Sequence, residues 1–161
     1  MWIFDHEDAV AKRVSNRMGM FTGLNMESAE ALQMNNYGLG GHYYSHHDHT
    51  DDKNNTFPEF GKGNRLATSL IYIMSPEVGG STIFPELNVA VKPQDYMTLF
   101  WYNVFPNGTG DQRTLHSACP VVYGNKWVAN KWIHEFGNEF SHSNCGLSPN
   151  CLWKEKLKEW L

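Results

Sequence analysis

Glycine and proline cut this chain into short β-prone runs, and that punctuation restricts the folds open to it. Arg65 opens a β-branched and apolar run that continues to Met74, and Gly79-Gly80 reads as a turn before residues 81–85. Residues 89–93 and 96–102 read as two more strands, and Asn107-Gly108-Thr109-Gly110 as another turn. Residues 114–122 and 125–136 complete the series. Many short strands between such turns predict a mainly β sandwich or barrel, with helix confined to the flanks. Upstream, residues 5–20 read as an amphipathic helix, with Val10, Val14, Met18 and Phe21 at helical spacing. Residues 32–37 alternate like a half-buried strand. Gly38, Gly40 and Gly41 make a turn, and the histidine-rich segment after it reads as the next strand.

A length of 161 residues suits one domain, and a net charge of −4 argues against a nucleic-acid surface, where a basic stripe is expected. Aromatic residues, 14% of the chain, suit a β-rich core with a lined pocket. No apolar run approaches the ~20 residues of a membrane span. The start, Met1-Trp2-Ile3-Phe4-Asp5-His6, lacks a basic leader and a long apolar stretch, so it does not read as a secretory signal, and the chain reads as a fragment or an incomplete gene model. Asn54-Asn55-Thr56 and Asn107-Gly108-Thr109 fit the N-glycosylation acceptor. Cys119, Cys145 and Cys151 leave their pairing open. Residues 50–64 form a polar, Gly/Pro-punctuated loop, either simply solvated or a lid beside the site. In the 141–161 tail, Trp153, Leu157, Trp160 and Leu161 make an amphipathic helical stripe that packs on its own domain or meets a partner.

The chemistry concentrates in Tyr37-Gly38-Leu39-Gly40-Gly41-His42-Tyr43-Tyr44-Ser45-His46-His47-Asp48-His49. In a strand, residues two apart share a face, so His46 and Asp48 would converge. A distant histidine, His116 being the best candidate, would complete a two-histidine, one-carboxylate triad that leaves Fe(II) positions open for substrate and oxygen. An aspartate in a strand is informative, because burying it is costly unless it is paired or metal-bound. His42 shares the face of His46 and is the main rival ligand, whereas His47 and His49 face the opposite side from Asp48 or differ in register and are poorer partners. A structural zinc site is the other reading, but no Cys/His quartet supports it. Lys126, ten residues after His116, is a fixed cation suited to a cosubstrate carboxylate, helped by the Thr82 hydroxyl or the Tyr37 phenol.

From about Val14 to Phe140 the chain resembles the catalytic domain of the collagen prolyl 4-hydroxylase α-subunit. The likeness is carried by Asn36-Tyr37-Gly38-Leu39-Gly40-Gly41, His46-His47-Asp48, Gly63-Asn64-Arg65-Leu66-Ala67-Thr68, Gly79-Gly80-Ser81-Thr82-Ile83-Phe84-Pro85, Phe100-Trp101-Tyr102-Asn103 and His116-Ser117-Ala118-Cys119-Pro120. It continues through Gly124-Asn125-Lys126-Trp127-Val128-Ala129-Asn130-Lys131-Trp132-Ile133-His134-Glu135. The resemblance implies a double-stranded β-helix (jelly roll) that uses Fe(II), 2-oxoglutarate, dioxygen and ascorbate. It implies iron on His46, Asp48 and His116, and the distal carboxylate of 2-oxoglutarate on Lys126. Tyr37, Thr82 and Trp132 would line the cosubstrate pocket, and Tyr43, Arg65 and His134 would contact the peptide near its target proline. It further implies a single catalytic domain over residues 1–161 that lacks its first strand and the upstream subunit regions, leaving an apolar sheet edge beside the N-terminal helix. The endoplasmic reticulum lumen, a protein disulfide isomerase partner and a Cys119–Cys145 bridge follow from the same resemblance. The implied reaction is 4-hydroxylation of proline in procollagen-like X-Pro-Gly sequences, coupled to oxidative decarboxylation of 2-oxoglutarate to succinate and carbon dioxide. The rivals are a hydroxylase of another proline-bearing peptide and an inactive relative that only binds Pro-rich chains. The intact iron and Lys126 positions argue against the second.

Overall fold

The structure is a computed structural model and describes residues 1–51 and 63–138. Most of the 50–64 loop, the Asn54 acceptor, the 141–161 tail, and Cys145 and Cys151 with any bridge to Cys119 lie outside the described residues.

The larger sheet is antiparallel, in the order β1 (Trp2–Ile3), β2 (Leu32–Tyr37), β11 (Lys126–His134), β4 (Arg65–Met74) and β8 (Thr98–Tyr102). The smaller runs β3 (Tyr43–His46), β9 (His116–Ala118), β6 (Thr82–Phe84) and β7 (Val89–Val91). A short ribbon of β5 (Val78–Gly79) and β10 (Val121–Tyr123) joins them at one end. Leu70, Tyr72 and Val128 face inward from the larger sheet, with Leu99 and Trp101 packed beside them. On its other face Leu24, Leu66, Ala67, Val104 and Ile133 form a second core. Burying such side chains contributes about 1.5–3 kcal/mol each.

Helix α1 spans Ala9–Thr22 rather than residues 5–20. Asp8 caps it by accepting from the amides of Val10 and Ala11, and Gly23, in the left-handed conformation at φ 72°, ends it. Its buried stripe is Ala11, Ser15 and Met18; Val10 and Phe21, expected on that stripe, are exposed. On this inner face Ser15, a polar residue, donates to Asp5 at 2.9 Å.

Three further features differ from expectation. A strand precedes the helix: Trp2 pairs with Gln33 and Ile3 with Leu32, which covers part of the β2 edge. The histidine strand stops at His46, so Asp48 sits in the bend after it. Gly79 belongs to β5 instead of a simple turn, and Gly79 and Gly80 both take positive φ, at 84° and 71°. A Cβ on Gly79 would collide with the Pro120 carbonyl, so only glycine lets the ribbon close there.

Candidate active site

Two bulges in β4 decide which side chains face the space between the sheets. Ile133 pairs with Ala67 but His134 pairs with Arg65, leaving Leu66 as an extra residue. Arg65 thereby lines the same cavity as Thr68 and Leu70, although an odd and an even position would otherwise face opposite ways. Along β11, Lys126, Val128, Asn130 and Trp132 face this cavity of about 390 Å³.

The smaller sheet supplies the histidines. His46 and His116 are register partners on β3 and β9, with ring centroids 4.3 Å apart. Asp48 reaches both from the bend: its Oδ1 lies 3.6 Å from His46 Nε2 and its Oδ2 lies 3.8 Å from His116 Nε2. His46 Nδ1 donates to the Tyr44 carbonyl at 2.7 Å and His116 Nδ1 to the Thr114 carbonyl at 2.8 Å. A carbonyl only accepts, so the hydrogen sits on Nδ1 in both rings and each Nε2 presents a lone pair. Burial holds the His116 imidazole below the usual histidine range, favouring the neutral ligand form. One donor atom from each of the three residues lies within 4.8 Å of the others. Two neutral imidazoles and a carboxylate on one side fit a ferrous ion with open positions.

His42, the rival ligand, is exposed, and its Nδ1 bonds the Gly40 carbonyl at 2.9 Å; it is not part of the group. His47, expected to face away, borders the cavity but turns its Nε2 to the Gln112 carbonyl and is not part of the group, and His49 lies buried beside Asp51.

Behind Asp48 is a layer that motif reading missed. Thr68 Oγ1 donates to Asp48 Oδ2 at 2.6 Å and accepts from Asn103 Nδ2 at 2.8 Å. Thr68 is 1% exposed and Asn103 is fully buried, so water does not compete for these bonds. Both residues stand in the runs Gly63–Thr68 and Phe100–Asn103 quoted above, but nothing local marks them as partners of Asp48.

At the other end of β11, Lys126 is 1% exposed, and its Nζ donates to the Gly80 carbonyl at 2.7 Å. Tyr37 and Tyr72 flank the ammonium, their ring centroids about 5.5 Å away. Desolvation pulls Lys126 down to about 8. No carboxylate among the described residues pairs with it, so a cation is held in a dry pocket without its counter-ion. Thr82 accepts from the Tyr72 hydroxyl at 2.7 Å, which makes Tyr72 a second residue the sequence did not single out. Lys131, one strand position out of phase, pairs instead with Asp5 at 3.2 Å.

The residues assigned to peptide contact are divided. Tyr43 lines the cavity half-exposed, edge-on to His46 at 4.5 Å. Arg65 lies 3.9 Å over the Trp132 ring and makes a two-pronged bond to Glu30 at 2.6 and 3.0 Å. His134 does not line the cavity. It is fully buried, with Nε2 2.9 Å from Glu30 and Nδ1 2.9 Å from the Gly63 carbonyl. Burial alone would raise the Glu30 carboxyl, but the His134 and Arg65 hydrogen bonds outweigh it and hold Glu30 below the usual carboxylate range. His134 therefore acts on Arg65 through Glu30.

Comparison with known proteins shows the family and the fold. A family model described as the 2OG-Fe(II) oxygenase superfamily matches residues 32–134. Prolyl 4-hydroxylase subunit alpha-1 of Gallus gallus is 47% identical over 148 residues, covering 91% of this chain and 28% of the relative. Subunit alpha-2 of Caenorhabditis elegans is 50% identical over 147 residues, 91% of this chain and 27% of the relative. The chain thus spans under a third of the length of these curated relatives. Among solved structures, the viral collagen prolyl hydroxylase of Paramecium Bursaria Chlorella virus-1, in its 2OG complex, superposes with a TM-score of 0.73 at 30% identity. That match covers 83% of this chain and 77% of the viral one. The two packed antiparallel sheets are accordingly a jelly roll.

Proposed function

The chain belongs to the 2OG-Fe(II) oxygenase superfamily, and from that premise we propose that it 4-hydroxylates proline in procollagen-like peptides while decarboxylating 2-oxoglutarate. The observation that carries this reading is the pairing of two features across one cavity. One is the His46–Asp48–His116 group with both Nε2 lone pairs free; the other is the buried Lys126 ammonium, with which no carboxylate among the described residues pairs. The prolyl substrate is supported by the likeness to prolyl 4-hydroxylase alpha subunits and to the viral collagen prolyl hydroxylase.

His46, Asp48 and His116 hold Fe(II), which when bound supplies the oxidation of 2-oxoglutarate to succinate and carbon dioxide and the oxygenation of the proline C4–H bond. Lys126 binds the distal carboxylate of 2-oxoglutarate, with Tyr37 and Thr82 at its sides. Tyr72, hydrogen-bonded to Thr82, fixes that hydroxyl. Thr68 and Asn103 hold the Asp48 carboxylate in one rotamer. Trp101 and Phe84, with ring centroids 4.9 and 5.6 Å from His116, keep water from that ligand. Arg65 and Tyr43 border the peptide side, with His134 and Glu30 fixing the Arg65 fork; Trp132, expected in the cosubstrate pocket, lies six residues from Lys126 on β11 under the Arg65 guanidinium and is placed in this proposal on the peptide side instead. Ascorbate as the reductant that keeps iron ferrous, dioxygen as co-substrate, residence in the endoplasmic reticulum lumen and assembly with protein disulfide isomerase belong to the same proposal. Among the described residues no helix is long and apolar enough to cross a membrane.

The test is turnover of 2-oxoglutarate by the 161-residue chain with Fe(II), ascorbate and air, with and without a (Pro-Pro-Gly) repeat peptide. Peptide-stimulated succinate with 4-hydroxyproline in the product is expected. Succinate without hydroxyproline on any proline-bearing peptide would overturn the substrate, and no succinate at all would overturn the catalytic reading.

A further inference from the structure

One wall of the cavity is polar in a way that neither metal nor cosubstrate uses. Gln33 and Asn35 stand two apart on β2, and Gln33 faces Asn130 in the β2–β11 ladder. All three line the cavity. Asn35 Nδ2 donates to Gln33 Oε1 at 2.8 Å, and Asn130 Nδ2 reaches the same oxygen at 3.4 Å. These bonds orient the Gln33 amide. They leave its two N–H donors, and the Oδ1 acceptors of Asn35 and Asn130, without a partner among the described residues.

Position separates the trio from the iron and from 2-oxoglutarate. The sheet order is β1-β2-β11-β4-β8, and β4 carries Thr68, which anchors Asp48. The metal group therefore lies toward β4, on the side of β11 away from β2. Lys126, which takes the cosubstrate, is four residues from Asn130, or about 13 Å along a strand. The amides border the part of the cavity where Trp132 packs against Trp2, with ring centroids 5.9 Å apart.

The chemistry of a proline-rich chain matches such a wall. Proline lacks the backbone N–H, and a polyproline II backbone makes no internal hydrogen bonds, so its carbonyls project unpaired. A primary amide aimed into the cavity offers two donors to such a carbonyl, and an aromatic ring beside it offers a face for the pyrrolidine. Polyproline ligands dock on aromatic-lined grooves in this manner.

We propose that Gln33, oriented by Asn35 and Asn130, is the subsite that grips the peptide backbone beside the target proline. Its Nε2–H donates to a backbone carbonyl of the substrate, and an asparagine Oδ1 accepts from the N–H of a neighbouring non-prolyl residue. This rests on the proline-peptide reading above. Gln33→Glu keeps the shape and the acceptor but removes both donors. Asn130→Ala removes one orienting group and serves if Gln33→Glu fails to fold. The measurements are the dissociation constant and KM of a (Pro-Pro-Gly) repeat peptide, the dissociation constant of 2-oxoglutarate and the melting temperature, all on the 161-residue chain. The loss of one net hydrogen bond raises the peptide constants about three- to tenfold. KM rises more than kcat falls, and the 2-oxoglutarate constant stays within about twofold. Peptide constants equal to wild type in both variants overturn the subsite alone, as does a parallel rise in the 2-oxoglutarate constant. A wild-type chain that turns over 2-oxoglutarate but neither binds nor hydroxylates the peptide overturns the substrate reading, and the subsite falls with it.

Discussion

Asp48 is the residue on which the metal group depends most, and what holds it is neutral. Thr68 donates to one carboxylate oxygen from a position that Asn103 fixes in turn. Partners that orient a metal ligand typically contribute 10- to 100-fold to metal affinity. Thr68→Val, close in shape but without the hydroxyl, should therefore weaken Mn(II) or Co(II) binding about 10- to 100-fold by calorimetry, whereas Asp48→Ala should abolish it. Equal metal affinity in Thr68→Val and wild type would refute the orienting role. Lys126 carries the pH dependence. Its folded value of about 8 lies below the ordinary lysine value of 10.5. Below pH 8 it is charged in both folded and unfolded chains. From about pH 8 to 10.5 the unfolded chain still binds this proton and the empty pocket does not, so this group makes the apo protein more stable as pH rises through that window. If 2-oxoglutarate binds this ammonium as proposed, its binding should weaken over the same window by up to about tenfold per pH unit. A flat binding profile up to pH 10 would contradict this. The triad itself was legible because His46, Asp48 and His116 sit in recognisable runs. Thr68, Asn103, Tyr72 and Glu30 were not, since each acts through a partner 10 to 104 residues away that only the fold brings near.

At the scale of the element, β11 shows how one strand separates function from support. Lys126 and Lys131 are both almost wholly buried, at 1% and 2% exposure, but odd and even positions face opposite sides of the sheet. Lys126 looks into the cavity; Lys131 looks away and meets Asp5 of the N-terminal segment. Composition alone makes the two lysines equivalent, and Lys131 could stand as a substitute for Lys126 until strand phase excludes it. Their variants should therefore dissociate. Lys126→Ala should raise the 2-oxoglutarate requirement by roughly 30- to several-thousand-fold, the 2–5 kcal/mol of a buried charge contact broken from one side. Lys131→Ala should leave that requirement within about twofold but cost about 2 kcal/mol in lost packing and hydrogen bonding, a melting temperature roughly 4–8 °C lower. Similar effects of the two variants on 2-oxoglutarate binding would contradict the phase assignment. The run from Arg65 to Met74 was legible as a strand to the residue. Its bulge at Leu66 was not, because a bulge is set by the partner strand and not by the residue that forms it. Without the bulge, period-2 reasoning places Arg65 on the wrong face.

For the whole molecule, the site joins two sheets that meet around it. His46 and His116 belong to the smaller sheet, Lys126 and Thr68 to the larger, and Asp48 links them through its bond to Thr68. Strand content and order were open to sequence reasoning because alternation and turns are local, but how the sheet edges are closed was not. The expectation of a bare edge beside the helix meets instead the Trp2–Ile3 strand, too short to register as a periodic pattern. Ligands should then stabilise the fold in two separable steps. A metal that binds only the folded chain adds about 2.7 kcal/mol at a concentration of 100 times its dissociation constant, roughly 5–11 °C in melting temperature for a chain of this size. Added 2-oxoglutarate should contribute a second increment of the same order, because in the proposed binding mode it bridges the metal on one sheet and Lys126 on the other. Measured with Mn(II) under nitrogen to prevent turnover, wild type should show both increments. Lys126→Ala should keep the metal increment and lose most of the second, since the proposed metal ligands lie on β3, on β9 and in the bend after β3. Asp48→Ala should lose both, because 2-oxoglutarate without the metal keeps only the Lys126 contact. A full 2-oxoglutarate increment in Lys126→Ala, or one in Asp48→Ala equal to wild type, would mean that the cosubstrate does not span the two sheets between these residues.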